Sequence, residues 1–467
     1  MQDTTGHRVE HDSMGDVLVP ADAYYAAQTV RAVENFPISG LRFNRTFLWA
    51  LGLVKAAAAQ ANVTLGLLDP LRGKAIVQAA TEVAEGRFDK EFVVDVFQSG
   101  SGTSTHMNAN EVIATRAVEL LGGKRTGTTH IHPNDDVNMG QSTNDVFPTV
   151  IHVAALELVE KRLLPALHTL TQSFATKADE FVKVVKAART HLQDAVPITL
   201  GQEFSGYTSV ITHGIRRIEN IKKHLAELPL GGTAVGTGLN AHPRLAELAI
   251  AELNSRTGLT FRPAENTFEA MQNRDACVET SAALKTVAVG LMKIANDLRL
   301  LASGPRTGLA EIALPSLQPG SSIMPGKVNP VIPEAVTMVA AQIIGNDLTI
   351  SVSALNGSLD LNVMMPVIAF NLLQSIELEA AAARVLAEKC VQGITADIGK
   401  CRAYAETSAA LITALAPTLG YENATRLYQR ALKGGKSIRQ IIAEERLLST
   451  EQLETILDLS ALAAGRG

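Results

Sequence analysis

Apolar residues recur at helical spacing along most of the chain. Between residues 151 and 182, Val153, Leu156, Val159 and Leu163 fall close to an i, i+3, i+4 rhythm, which predicts one long helix. Similar stretches predict helices over about 201–228, 270–302, 333–346 and 366–390, each broken by Gly, Pro or a polar loop. Several are apolar on more than one face, TVAVGLMKIANDLRLLA among them, and such a helix must be buried on most sides. One chain supplies few helices of this kind. Packing against further copies of the same chain is the simplest way to cover them, so the pattern predicts a homo-oligomeric helix bundle.

Texture divides the chain into three regions. Residues 1–141 mix short helical patterns with Gly- and Pro-bearing turns, residues 142–398 hold the long-helix bundle, and residues 399–467 return to shorter helices broken at GYENAT and KGGKS. The expected fold class is mainly all-α. Composition agrees, because apolar residues reach 46% while aromatics are only 4%, which favours helix over sheet and excludes disorder. The 42 basic and 47 acidic residues leave a net charge of −5, which argues against a nucleic-acid partner held by bulk positive charge. Cys277, Cys390 and Cys401 are far apart with no CxxC, so neither a disulfide framework nor a cysteine zinc site is expected. The N-terminal MQDTTGHRVEHDSMGDV is too polar for a signal peptide. The apolar run 361–376 contains Asn, Gln and Pro and is shorter than the ~20 residues a bilayer needs. These features predict a cytoplasmic protein with no membrane partner.

Polar islands between the helices are where chemistry could sit. Gly320-Ser-Ser-Ile-Met-Pro-Gly-Lys-Val-Asn-Pro330 is rich in Gly, Ser and Pro and carries one lysine in an uncharged run. A phosphate-cradling loop would need G-x-x-x-x-G-K-[ST], but five residues separate Gly320 from Gly326 and Val328 follows Lys327. A plain surface turn and a mobile lid carrying a serine and a cation are the remaining readings. Ser99–Asn108 packs hydroxyls and glycines just before a helical stretch, where a helix N-terminus favours an anion. Gln141-Ser-Thr-Asn-Asp145 sets small polar groups before the next helix and reads equally as a plain N-cap. Arg189-Thr-His191 precedes LQDAVPITLGQE. His130 and His132 form an H-x-H pair, but no carboxylate or cysteine set completes a metal site, so no metal is expected. Neutral donors with a few cations suit a small dicarboxylate.

These motifs together resemble the fumarase/aspartase superfamily. GSSIMPGKVNP is similar to its signature, and SGTSTHMNANEV, HPNDDVN, QSTNDVFPT, ARTHLQDAVPITLGQE and GGTAVGTGLNAHP resemble its other motifs in the same order, over nearly the whole chain. The resemblance implies a three-domain, mainly α-helical subunit and a homotetramer with a twenty-helix core, with active sites shared between subunits. It implies reversible trans elimination that yields fumarate through an aci-carboxylate, as in the tricarboxylic acid cycle, with no organic cofactor. By the same resemblance Ser321 is the base, His191 handles the leaving group, and Glu334 orients or charges His191 across chains. Lys327 and Asn329 would hold the carboxylate that becomes the aci form, and Ser101, Thr103, Ser142, Thr143, Asn144 and Thr190 the other polar groups. His132, Asn134 and Asp135 would form a second dicarboxylate site, although Thr128 and Thr129 precede His130 where an arginine is looked for.

Two branches of the superfamily compete. HDSMGDV, FQSGSGT, HPNDDVN and EAVTMVAAQIIGND resemble class II fumarases, whereas ADAYYAAQT, QSTND, NDLRLLASGPR and GITAD resemble aspartate ammonia-lyases. The fumarase branch is the favoured expectation. His106 stands where both branches usually carry Asn, and Ala188 where Gly is usual. A catalytically inactive helical oligomer, acting as a binding or structural protein, would tolerate loss of Ser321, Lys327 or His191, yet all three are present.

Overall fold

The computed structural model describes residues 6–124 and 131–465, and most of them are helical. An antiparallel hairpin of β1 (His7–Asp12) and β2 (Gly15–Pro20) leads into α1 (Ala27–Asn35), α2 (Arg45–Thr64), α3 (Pro70–Ala84), α4 (Thr103–Leu120) and α5 (Thr143–Leu158). After α6 (Leu164–Glu180) comes a second antiparallel hairpin, β3 (Val185–Thr190) and β4 (Gln193–Thr199). Then follow α7 (Leu200–Leu225), α8 (Leu245–Thr257), α9 (Thr267–Gln272), α10 (Asp275–Leu301), α11 (Val331–Leu355) and α12 (Met365–Lys389). Short helices fill the rest.

The long periodic stretches become helices close to their expected bounds, with three differences. The stretch over 270–302 is broken at Asn273 and Arg274, so residues 270–272 close α9 and α10 begins at Asp275. The stretch predicted as one helix over 151–182 is interrupted by a π-helical turn at Val159–Leu163, directly before Pro165. Proline has no N–H to give to the helix ladder, and a widened turn is a common way to absorb that loss. The helix expected to end near 346 continues to Leu355. Its continuation, NDLTISVSAL, is rich in polar and β-branched residues, and side-chain partners supply what intrinsic preference lacks. Asp347 accepts hydrogen bonds from Ser281 (2.8 Å) and Lys285 (2.6 Å). Asn346 donates to Gln374 and Ser375, both at 3.0 Å.

Contacts gather the chain into two units. One takes in Met1–Pro165, Arg216–Thr286 and Ala341–Ala380, and the other Ala166–Ile215, Val287–Ala340 and Ala381–Gly467. This partition follows proximity in space, whereas the regions 1–141, 142–398 and 399–467 follow sequence texture.

In the first unit α2 packs on α3, α5 and α8. Local chemistry starts both helices of the first pair. Asn44 accepts from the Phe47 N–H to cap α2, and Asp69 accepts from Leu71 and Arg72 ahead of Pro70 to cap α3. The α2 face is built from small residues, including the buried run Ala56–Ala59. At Gly52 a Cβ would lie 2.6 Å from the Ala84 nitrogen and 2.7 Å from the Ala80 oxygen, so the two backbones touch there. Phe43, Phe47 and Phe147 form a ring cluster with centroids 4.1–5.8 Å apart, which ties the start of α5 to α2.

In the second unit Phe174 and Phe181 meet Phe204 edge-on, and Tyr207 joins them with its hydroxyl donating to Asp297 at 2.9 Å. A separate apolar cluster of Leu411, Leu415, Leu427, Ile438, Ile441, Ile442 and Leu457 holds the C-terminal helices. Helix α11 is long and apolar enough to cross a bilayer by length and composition alone. Its exposed residues include Met338 (67%), Leu348 (66%) and Leu355 (83%).

Gly52→Ala tests the backbone contact of α2 and α3. The added methyl has only backbone to push against, so it should cost about 1–3 kcal/mol, as overpacking usually does. A lowered thermal midpoint is the expected result, and an unchanged one would show that the contact yields freely.

Candidate active site

Each unit carries one group of the residues singled out in the sequence. In the first, the segment before α4 makes two close approaches that only glycine permits. A Cβ on Gly100 would lie 1.8 Å from the Val363 oxygen, and one on Gly102 would lie 2.2 Å from the Phe147 ring. Gly102 also has φ +86 and serves as the N-cap of α4, which presents Thr103 at its first turn. Ser101 and Thr103 share a hydrogen bond of 2.8 Å, with Thr103 exposed.

Ser142, Thr143 and Asn144 open α5. Ser142 accepts from the Asn144 N–H at 3.2 Å, and Asp145 accepts from the Ser142 N–H at 2.9 Å, which completes a capping box. Asp145 is fully buried and also accepts from the N–H groups of Gly231 and Thr233 at 2.9 and 3.0 Å. Burial pushes its carboxyl up to about 6, against the pull of these N–H groups and Lys55. Asn144 donates to the Ala234 carbonyl at 2.8 Å. The GGTAVGTG motif therefore braces this helix start through its backbone. Thr143 is buried, and its hydroxyl lies 2.7 Å from His106 Nδ1.

Sequence reasoning missed Lys55. It is fully buried in α2 and donates to Asn138 (3.0 Å) and Gln141 (2.9 Å), two side chains of the segment that leads into Ser142. The signal was present, since one lysine interrupts the apolar run LGLVKAAAA.

In the second unit Thr190 and His191 lie at the tip of the β3–β4 hairpin, both exposed. His191 and Leu192 have φ of +55 and +60, a turn geometry normally given to Gly or Asn. A buried ion cluster braces this hairpin. Arg189 donates to both oxygens of Glu311 at 3.0 and 2.9 Å, and Lys186 lies 2.7 Å from Glu203 and 3.3 Å from Glu311. Glu311 and Lys186 were also missed, because their partners are far apart in sequence.

The Gly320–Pro330 loop closes on itself. The Gly320 N–H donates to the Lys327 carbonyl at 2.8 Å, and the Asn329 amide donates to the Gly320 carbonyl. Within it, Ser321 Oγ accepts from two backbone N–H groups, Ile323 at 3.2 Å and Met324 at 2.9 Å. Lys327 is exposed, and Glu334 sits in the first turn of α11. A cleft of about 720 Å³ is lined by Lys327, Asn329 and Glu334 with Arg299, Asp397 and Lys400. Ser321, Thr190 and His191 lie outside its lining. Among the described residues no hydrogen bond or ion pair joins His191 to Glu334, a pairing that the resemblance implies across subunits.

His132 caps the π-helical turn Pro133–Val137, its Nδ1 accepting from Asn134 at 3.3 Å and Asp135 at 3.2 Å. His132 and Asn134 line a cleft of about 420 Å³ with Glu10, Asp12 and Glu111, and Asp135 is outside that lining. Arg8 pairs with Glu10 and Arg31 with Asp12. His130, like Thr128 and Thr129, falls outside the described residues. Among the described residues no cluster of three or more His, Cys, Asp or Glu could hold a metal ion.

Comparison with known proteins places this arrangement. A family model described as "Lyase" matches residues 15–345, and one described as "Fumarase C C-terminus" matches residues 411–464. The chain is 52% identical to a class II fumarate hydratase of Mycobacterium tuberculosis, over 99% of this chain and 97% of that protein. It is 49% identical to an aspartate ammonia-lyase of a Bacillus species, over 97% of each chain. A crystal structure of class II fumarase from Schistosoma mansoni superposes with a TM-score of 0.96 at 40% identity, covering 99% of this chain and 100% of that one. Motifs, fold and full-length similarity agree that the chain belongs to the fumarase/aspartase superfamily of lyases.

Proposed function

We propose that the chain is a class II fumarate hydratase, a carbon–oxygen lyase that adds water to fumarate reversibly and gives (S)-malate. Similarity to hydratases over nearly the full length supports the choice of branch. The observation that carries the chemistry is Ser321 Oγ, which already accepts two backbone N–H groups in a loop that also bears Lys327. Deprotonated serine is a base strong enough to take a proton from carbon next to a carboxylate, and it persists only where donors and a cation stabilise it. Ile323 and Met324 N–H are such donors, and Lys327 is the cation.

Proton removal creates a dianionic aci-carboxylate, so the site must stabilise charge that develops only in the transition state. Lys327 and Asn329 take that carboxylate. Ser101, Thr103, Ser142, Thr143, Asn144 and Thr190 supply neutral donors for the rest of the substrate. His191 protonates the departing hydroxyl, and Glu334 of a neighbouring subunit orients it. The strained tip that carries His191 supports this role, since a left-handed pair of non-glycine residues is kept at a cost of order 1–3 kcal/mol each. The second dicarboxylate site is assigned to His132, Asn134 and Asp135.

The three sequence regions correspond to the three domains of the subunit, and four subunits assemble into the active tetramer. The exposed apolar residues of α11 support this assembly. Buried Cys277, Cys390 and Cys401, none of them in a disulfide, fit a reducing, cytoplasmic setting.

Fumarate absorbs in the ultraviolet through its conjugated double bond, whereas malate and aspartate do not. The purified protein should raise absorbance with (S)-malate and barely do so with L-aspartate. Ammonia release from aspartate with malate inert would assign the chain to the aspartate ammonia-lyase branch instead.

Replacing Ser321 with Ala should lower turnover by at least ~10²-fold while the assembly persists, the loss typical of a positioned proton-transfer group. Near-normal turnover would remove Ser321 from the mechanism. In sedimentation the active species should be a tetramer, and a compact active monomer at low concentration would contradict the shared site.

A further inference from the structure

His106 is a buried histidine that the reaction scheme leaves unused. It lies in α4 and is 1% exposed, and among the described residues its ring makes one hydrogen bond, 2.7 Å from Nδ1 to the Thr143 hydroxyl. Its other ring nitrogen, Nε2, is buried without a partner. Lys55 is the nearby charge, itself engaged by Asn138 and Gln141 and balanced by Asp145.

The ring has three possible protonation states, and the geometry separates them. The imidazolium would bury a charge beside Lys55 and leave a charged N–H unpaired. Burial and Lys55 both hold the ring well below the ordinary histidine range, which disfavours this state. The neutral form with its proton on Nε2 would leave a buried donor orphaned, which native structures rarely tolerate. The neutral form with its proton on Nδ1 leaves only a bare lone pair at Nε2. That is the less costly deficit, and it makes His106 the donor to Thr143 Oγ.

A threonine hydroxyl has one proton and two lone pairs. With one lone pair taken by His106, the proton of Thr143 points elsewhere, and no other hydrogen bond of that hydroxyl occurs among the described residues. We propose that His106 is a positioning residue that donates its Nδ1 proton into Thr143 and so fixes the Thr143 hydroxyl as a hydrogen-bond donor toward a carboxylate or hydroxyl oxygen of the substrate. This inference rests on Thr143 contacting the substrate, as assigned above. Asparagine offers a similar donor, because in both side chains an N–H-bearing nitrogen is bonded to Cγ.

The test combines variants with one spectroscopic measurement. His106→Leu should raise KM for (S)-malate at least about fivefold with a smaller change in kcat, the pattern of lost ground-state binding. His106→Asn should bring KM back to within about twofold of the unaltered protein. In a Thr143→Val background, His106→Leu should add nothing further, since the two act through one hydroxyl. Solid-state ¹⁵N spectra of histidine-labelled protein, with His106 assigned by its loss in His106→Asn, should show a neutral ring protonated at Nδ1 throughout pH 6–8. That measurement needs no His106→Leu protein and holds even if the leucine variant fails to fold. An Nε2-protonated or titrating ring overturns the inference. So does a KM unchanged in His106→Leu, or one that rises independently of Thr143. If Thr143→Val itself leaves KM unchanged, the assignment of Thr143 as a substrate contact falls, and the inference with it. If Thr143→Val raises KM while His106→Leu does not, the inference alone falls.

Discussion

A lysine buried within an alanine-rich helix must find oxygen acceptors, and much of the first unit is arranged around how Lys55 does so. Its ammonium takes Asn138 and Gln141, side chains of the loop that delivers Ser142, Thr143 and Asn144 to the start of α5. Desolvation penalises the charge heavily, so the loop cannot drift away without leaving it unpaired. Asp145 answers it from within the same helix start and holds the glycine-rich segment 231–238 through two N–H groups. One buried charge thus fixes a loop, a helix terminus and a bracing strand of backbone.

The second unit solves the same positioning problem with a different device. A hairpin tip with two residues in left-handed backbone would relax if its stem were free to twist. Arg189 and Lys186 pin that stem to Glu311, which has no exposure to solvent. Removing either cation would leave an uncompensated carboxylate in the interior, so the tip is held from below. The Ser321 loop is braced more lightly, by one backbone hydrogen bond from Gly320 to Lys327 and by the Asn329 side chain donating to the Gly320 carbonyl.

Much of this was legible in the sequence wherever the signal was local. The helical rhythm of 201–228 and 270–302 and the capping pattern of Ser142 and Asp145 are properties of neighbouring residues, and they translated directly. Pro165 was visible too, yet periodicity alone carried the helix through it, because a π-helical turn is still helical and leaves no gap in the apolar pattern. Long-range partnerships were not legible. Nothing near Lys186 announces Glu311, and nothing near His106 announces Thr143, since those meetings depend on how elements pack. The continuation of α11 past 346 has the same origin, for its polar residues are helical only because Ser281, Lys285, Gln374 and Ser375 receive them.

That last dependence has a consequence for how the chain is made. As the ribosome releases it, Val331–Leu355 is a newly synthesised segment with the length and greasiness of a membrane anchor. Ser281 and Lys285 emerge first and are ready to receive Asp347. Ser375, the partner of Asn346, lies 29 residues further along and is made after it. For that interval the segment is only half accommodated. The end of α11 therefore completes its side-chain hydrogen bonds only when α12 is present to receive Asn346.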